Sequence, residues 1–144
     1  MRRPTFTKIF MDMAIILAHR SVDSKYKVGV VIASEDNHQV LSIGYNGNYH
    51  GGPNVRDSEE TGKSGFIHGE INALLKLDYN LPKRKVMYLT MAPCMDCAKA
   101  IIQANIYSVI FKDDYLENEG IALLKSVGIR CFKYDECKEY ETVA

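Results

Sequence analysis

His68 and Glu70 stand two residues apart, and Cys94 and Cys97 follow further on, directly behind Pro93. One imidazole and two thiolates form a zinc donor set, and three protein ligands on a tetrahedral ion leave the fourth position to water. Such an ion lowers the pKa of its water to about 7. Glu70 is not needed as a ligand, so its carboxylate is free to carry protons, a role worth about 10²–10⁴-fold in rate. A C-x-x-C pair alone is often half of a structural zinc site or a redox pair, and His-x-Glu alone recurs by chance. Their combination, with proline before the first cysteine, favours a catalytic ion over a structural one.

Two elements must position these groups. Ile67–Asp78 reads as a helix with apolar Ile71, Leu74, Leu75 and Leu77, and a second helix begins at Pro93 and runs to about Gln103. Cys94 and Cys97 then share one helix face. The positive end of that helix favours the thiolate a metal requires. His68 lies at the start of the other helix, so two helix N-termini converge on one ion.

The remaining elements form a scaffold for this convergence. Phe6, Ile9, Phe10, Met13, Ile16 and Leu17 recur at helical spacing over residues 5–20. Val28–Ala33 is a buried strand, Glu35–Asn37 a turn and Gln39–Tyr45 a second, antiparallel strand. Further strands are expected at Lys85–Met91, Tyr107–Phe111 and Ile129–Phe132, with a helix at Glu117–Ser126. The order αββαβαβαβ implies right-handed crossovers and parallel neighbours in the second half. Residues 44–65 form a long glycine-rich loop, and such loops are commonly functional. Tyr134–Ala144 reads as a charged tail, helical or loose.

Composition limits the alternatives. The chain has 144 residues, 47% hydrophobic and 25% charged, and its formal net charge is zero. These values suit one soluble catalytic domain over residues 1–144. Zero net charge disfavours a nucleic-acid partner held by charge alone. No apolar run approaches a membrane span, and Lys8, Asp12 and His19 interrupt any signal-peptide core, so a cytoplasmic location without a membrane partner is expected. Cys131 and Cys137 read as a small core residue and a free tail thiol.

The split pattern H-x-E with P-C-x-x-C is that of zinc-dependent nucleobase deaminases. More specifically, the chain resembles the deoxycytidylate (dCMP) deaminase family and its phage-encoded members. The resemblance rests on Val28–Ile32, Gly44-Tyr45-Asn46-Gly47, His68-Gly69-Glu70-Ile71-Asn72-Ala73 and Pro93–Ala104. Val109-Ile110-Phe111, Tyr115, Leu123-Leu124 and Gly128-Ile129 extend it. It implies an α/β fold, a three-layer α/β/α sandwich with a five-stranded mixed sheet. It also implies hydrolysis of dCMP to dUMP and ammonia, supplying dUMP for dTTP synthesis.

By position, the resemblance makes His68, Cys94 and Cys97 the ligands of one Zn2+ and Glu70 the proton shuttle between water, ring nitrogen N3 and the departing amino group. Asn46, Tyr115 and Ser24 become substrate contacts. The resemblance further implies a homohexamer activated by dCTP and inhibited by dTTP with Mg2+, with the effector near Lys27, Gly44, Tyr45, Asn46 and Gly51. The family commonly has alanine at the position of Gly69 and proline two residues after Gly47, where this chain reads Asn48-Tyr49. Gly62–Phe66 offers no ligands for the second, structural zinc of some phage members, so one zinc per chain is expected.

Other readings are a tRNA or other nucleic-acid base deaminase of the same superfamily, a free-nucleoside cytidine deaminase, and a non-catalytic zinc-stabilised nucleotide sensor. The flank Cys97-Ala98-Lys99-Ala100-Ile101-Ile102 and the neutral charge count against the first, and Glu70 counts against the last.

Overall fold

A computed structural model describes residues 1–143. Its elements are β1 (Arg2–Pro4), α1 (Phe6–Ala18), β2 (Gly29–Ser34), β3 (Val40–Tyr45), α2 (Gly69–Leu74), β4 (Lys85–Met91), α3 (Met95–Gln103), β5 (Ser108–Asp113), α4 (Glu119–Ser126), β6 (Arg130–Lys133) and β7 (Tyr140–Thr142). A 3-10 turn over Glu136–Lys138 precedes β7.

Five strands form one mixed sheet in the order β3-β2-β4-β5-β6. β2 runs antiparallel to both β3 and β4, whereas β4, β5 and β6 are parallel. The central strands are buried on both faces, which is why their sequences are continuous apolar runs. Alternation along them splits the core in two. Val30, Ile32, Met87, Leu89, Val109 and Phe111 face α2, α3 and α4. Val31, Ala33, Val86 and Tyr88 face Phe10, Met11 and Ala14 of α1. The result is the expected three-layer α/β/α fold, with one helix on one side and three on the other. Among the described residues no helix is long and apolar enough to cross a membrane.

Several elements differ from expectation for local reasons. α2 is shorter than Ile67–Asp78 because Ile67 pairs with Gly47 in an antiparallel bridge, with N–H···O distances of 2.8 and 3.1 Å. Past Leu75 the helix tightens into three-residue turn bonds. α3 starts at Met95, since Cys94 adopts an extended N-cap backbone and Pro93 lies outside the helix. The tail is neither helical throughout nor loose, because β7 pairs antiparallel with β1. Arg3 meets Glu141 there at 2.6 Å, and the Thr5 hydroxyl donates to the Glu139 carboxylate. Ala144 lies outside the described residues.

The close approach of α1 to the sheet depends on Gly29. A Cβ at this position would collide with the carbonyl oxygen of Ala14 and crowd the Ala18 backbone nitrogen. The Gly29 N–H also donates to Thr90 Oγ1 at 3.0 Å. Gly29→Ala is expected to lower unfolding stability by about 1–3 kcal/mol, the usual cost of overpacking. Urea denaturation checks this, and an unchanged midpoint would show that α1 moves away freely.

Candidate active site

Both helices that carry the motif begin with a candidate ligand residue. His68 is the N-cap of α2 and Cys94 the N-cap of α3, both with extended backbone. Their carbonyls accept the first helical bonds, from Asn72 N–H at 3.0 Å and Ala98 N–H at 2.9 Å. Neither side chain caps its own helix. Both are therefore free to turn outward, beside the positive ends of the helices.

The turn before Cys94 is fixed by packing. Ala92 N–H donates to Asp113 O at 2.8 Å, tying the end of β4 to the end of β5. Pro93 is fully buried. α4 lies against this turn so closely that a Cβ on Gly120 would collide with the Pro93 carbonyl oxygen.

His68 Nδ1 stands 3.1 Å from Cys97 Sγ and 3.5 Å from Cys94 Sγ. The three donor atoms lie within 4.8 Å of one another. A hydrogen bond from Cys97, with help from His68, holds the Cys94 thiol well below its ordinary pKa. The same bond to Cys94, together with burial and Glu70, pushes the Cys97 thiol up. His68 is raised, chiefly by Cys94. Two adjacent sulfurs thus resist carrying two negative charges unaided. A divalent cation removes that conflict, and one nitrogen with two sulfurs suits zinc.

Glu70, in the first turn of α2, is 4% exposed. Burial pushes its carboxyl up, against the opposing effects of Cys97 and His68. It lines a cleft together with His68 and Cys94, and Asp23, Asn46, Arg56, Phe66 and Tyr115 form other parts of the wall. The sequence-derived metal and proton-transfer residues are therefore assembled in one place.

Of the other expected site residues, Tyr115 and Asn46 line the same cleft, whereas Ser24, Lys27, Gly44, Tyr45 and Gly51 do not. Tyr115 follows β5, lines the cleft and faces Gly62. Its N–H donates to Asn118 Oδ1 at 2.9 Å in a turn where Leu116 and Asn118 have positive φ. Asn46 is buried and lines the cleft, but its amide already has protein partners. Oδ1 accepts from Val28 N–H at 2.9 Å, and Nδ2 donates to Tyr26 O at 2.7 Å and to Asp23 Oδ2 at 3.3 Å. Ser24 is exposed and outside the cleft lining, where its neighbour Asp23 stands instead. Lys27 and Gly51 are exposed, Gly44 is buried beneath α2, and half-buried Tyr45 accepts a hydrogen bond from Asn72.

Asp23 and Arg56 are cleft residues that sequence reasoning missed. Their side chains are each 3% exposed, with Arg56 Nη1 at 2.7 and 2.8 Å from the two Asp23 oxygens. Burial pushes the Asp23 carboxyl up, but the Lys25 N–H and the Arg56 guanidinium outweigh it and leave the group below its ordinary value. In sequence each sits in a polar stretch that reads as solvated, with no periodicity to mark it.

Residues 4–113 match the family model of the cytidine and deoxycytidylate deaminase zinc-binding region. A deoxycytidylate deaminase of Saccharomyces cerevisiae is 32% identical over 148 aligned positions, covering 93% of this chain and 47% of that protein. One from Mus musculus is 37% identical over 138 positions, covering 87% of this chain and 77% of that one. The chain thus spans only part of the length of these relatives. A dCMP deaminase from the cyanophage S-TIM5, solved with dCMP and dUMP, has a TM-score of 0.75 and 26% identity, covering 92% of this chain and 98% of that one. With the motif, the fold and these similarities in agreement, the chain belongs to the cytidine and deoxycytidylate deaminase family.

Proposed function

We propose that this protein hydrolyses dCMP to dUMP and ammonia, supplying dUMP for dTTP synthesis. The observation that carries the reading is a buried carboxylate, Glu70, set beside a His/Cys/Cys donor set in a cleft. The cyanophage relative solved with dCMP and dUMP supports the choice of substrate.

In this reading His68 Nδ1 and the sulfurs of Cys94 and Cys97 hold one zinc per chain. Bound zinc supplies Lewis-acid activation of water at neutral pH. Glu70 accepts a proton from the attacking water and delivers it to ring nitrogen N3. It then serves the amino group, which leaves C4 as ammonia while the oxygen of water takes its place. Burial keeps this carboxylate away from competing solvent. Asn46 retains a second lone pair on Oδ1 for a sugar hydroxyl, and Tyr115 offers its hydroxyl to the phosphate side. Ser24 is left to the exposed rim. The family resemblance supports a cytoplasmic homohexamer activated by dCTP and inhibited by dTTP with Mg2+, the effector lying near Lys27, Tyr45, Asn46 and Gly51, with Gly44 contributing backbone alone.

Ammonia release is expected from dCMP and not from a tRNA stem-loop; activity on the stem-loop with none on dCMP would sink the reading. Glu70→Gln is expected to keep one zinc per chain by elemental analysis while kcat falls about 10²–10⁴-fold, the usual worth of a positioned proton carrier. A variant that keeps zinc and full activity removes Glu70 from the chemistry. Adding dCTP is expected to steepen the response to low dCMP and dTTP with Mg2+ to suppress it. Kinetics indifferent to both triphosphates would remove the effector site.

A further inference from the structure

The outer wall of the cleft is a strap of irregular backbone, residues 56–66, that supplies Arg56, Gly62, Ser64 and Phe66 to the lining. It contains no helix or strand. Backbone without a ladder must be satisfied by turn bonds, side chains or water. Inside this strap the Asp57 N–H donates to Ser64 O at 2.7 Å and the Lys63 N–H to Glu60 O at 3.1 Å, and the buried polar tie to the rest of the fold is a single guanidinium. Arg56 Nη1 grips both oxygens of Asp23, Nε donates to Ser58 O at 2.9 Å, and Nη2 donates to Glu60 O at 3.2 Å. One side chain thus braces two carbonyls of its own strap and pins the strap to the segment before β2.

Asp23 is shared with the opposite wall. It also accepts from the Lys25 N–H at 2.8 Å, the Tyr26 N–H at 3.2 Å and the Asn46 amide at 3.3 Å. Asn46 in turn holds Val28 and Tyr26 at the entrance to β2. Secondary ties lie outside this core. The Lys25 ammonium donates to Glu59 O, and the Tyr26 hydroxyl stands 3.4 Å from Thr61 Oγ1. Asp23 therefore joins the strap to the end of β3 through two buried polar groups.

Arg56 is the sole arginine or lysine lining this cleft, yet most of its donors are already taken. It has little capacity left to bind a phosphate directly, and its position suits fixing the wall.

We propose that Asp23 and Arg56 are positioning residues, forming a clasp that holds strap 56–66 as the fixed wall of the cleft and so sets how tightly substrate is bound. The kinetic consequence rests on the dCMP reading, whereas the clasp itself does not. A lysine at position 56 keeps the charge but cannot reach three acceptors in a planar fork, so it separates clasping from mere neutralisation of Asp23.

The experiment uses the full zinc-loaded chain and its Arg56→Lys and Asp23→Asn variants, with circular dichroism confirming the fold. Amide hydrogen exchange in residues 56–66 is expected to accelerate at least about tenfold in both variants while β4 and β5 stay protected. With dCMP, KM is expected to rise about tenfold and kcat to stay within about twofold, the signature of lost uniform binding. Lys25→Ala, which cuts only an exposed tie, is expected to move both readouts in the same direction by less. Unchanged exchange in Arg56→Lys overturns the clasp, and a fall in kcat at constant KM overturns its binding role. Failure of the wild-type protein to act on dCMP rejects that substrate and its kinetic consequence, while the exchange result still decides the clasp.

Discussion

The site depends on keeping two residues out of the helices they introduce. His68 and Cys94 each hold an extended backbone, give their carbonyls to the first helical turn and make no side-chain cap. The helices forgo a stabilising cap, typically about 1 kcal/mol at such a position. In exchange an imidazole and a sulfur point at the same volume from two directions. Cys97, one turn into α3, completes the set. Metal–ligand distances hold to within about 0.2 Å, so the ends of two elements must meet closely, a demand that falls on the sheet.

The sheet meets it by burying its central strands on both faces. β4 leads directly into the Cys94 turn, and its side chains alternate between the α1 layer and the α2–α4 layer. The turn cannot drift toward α1 or α4 without disturbing one core or the other. Ala92 bonded to Asp113 and the absence of a side chain at Gly120 fix it laterally. On the opposite side, Ile67 bridged to Gly47 sets the height at which α2 begins.

Much of this was legible in sequence because it rests on local rules. The apolar run Val28–Ala33 marked a buried strand and Lys85–Met91 a further strand, and the motif residues fell at the predicted helix starts. The order of elements was enough to imply parallel pairing of β4, β5 and β6. Three features were not legible, each for lack of a local signal. β1 and β7 have three residues apiece and no alternation, so only their partner across the chain defines them. Asp23 and Arg56 look like solvated charges until the loop folds over them. Ser24 and Asp23 are neighbours, and which of them faces the cleft depends on the path of the chain before β2, where no periodicity speaks.

The pairing of β1 with β7 bears on the order in which the molecule can assemble. Arg3 and Glu141 are 138 positions apart, and the ladder they belong to is exposed and only three residues long on each side. Closing so long a loop carries an entropic cost that a few solvent-facing bonds repay poorly. That cost falls once the sheet and α1 have already brought the two segments together. The short ladder therefore records completion of the fold more than it drives it, and its opening leaves both apolar cores with their own contacts.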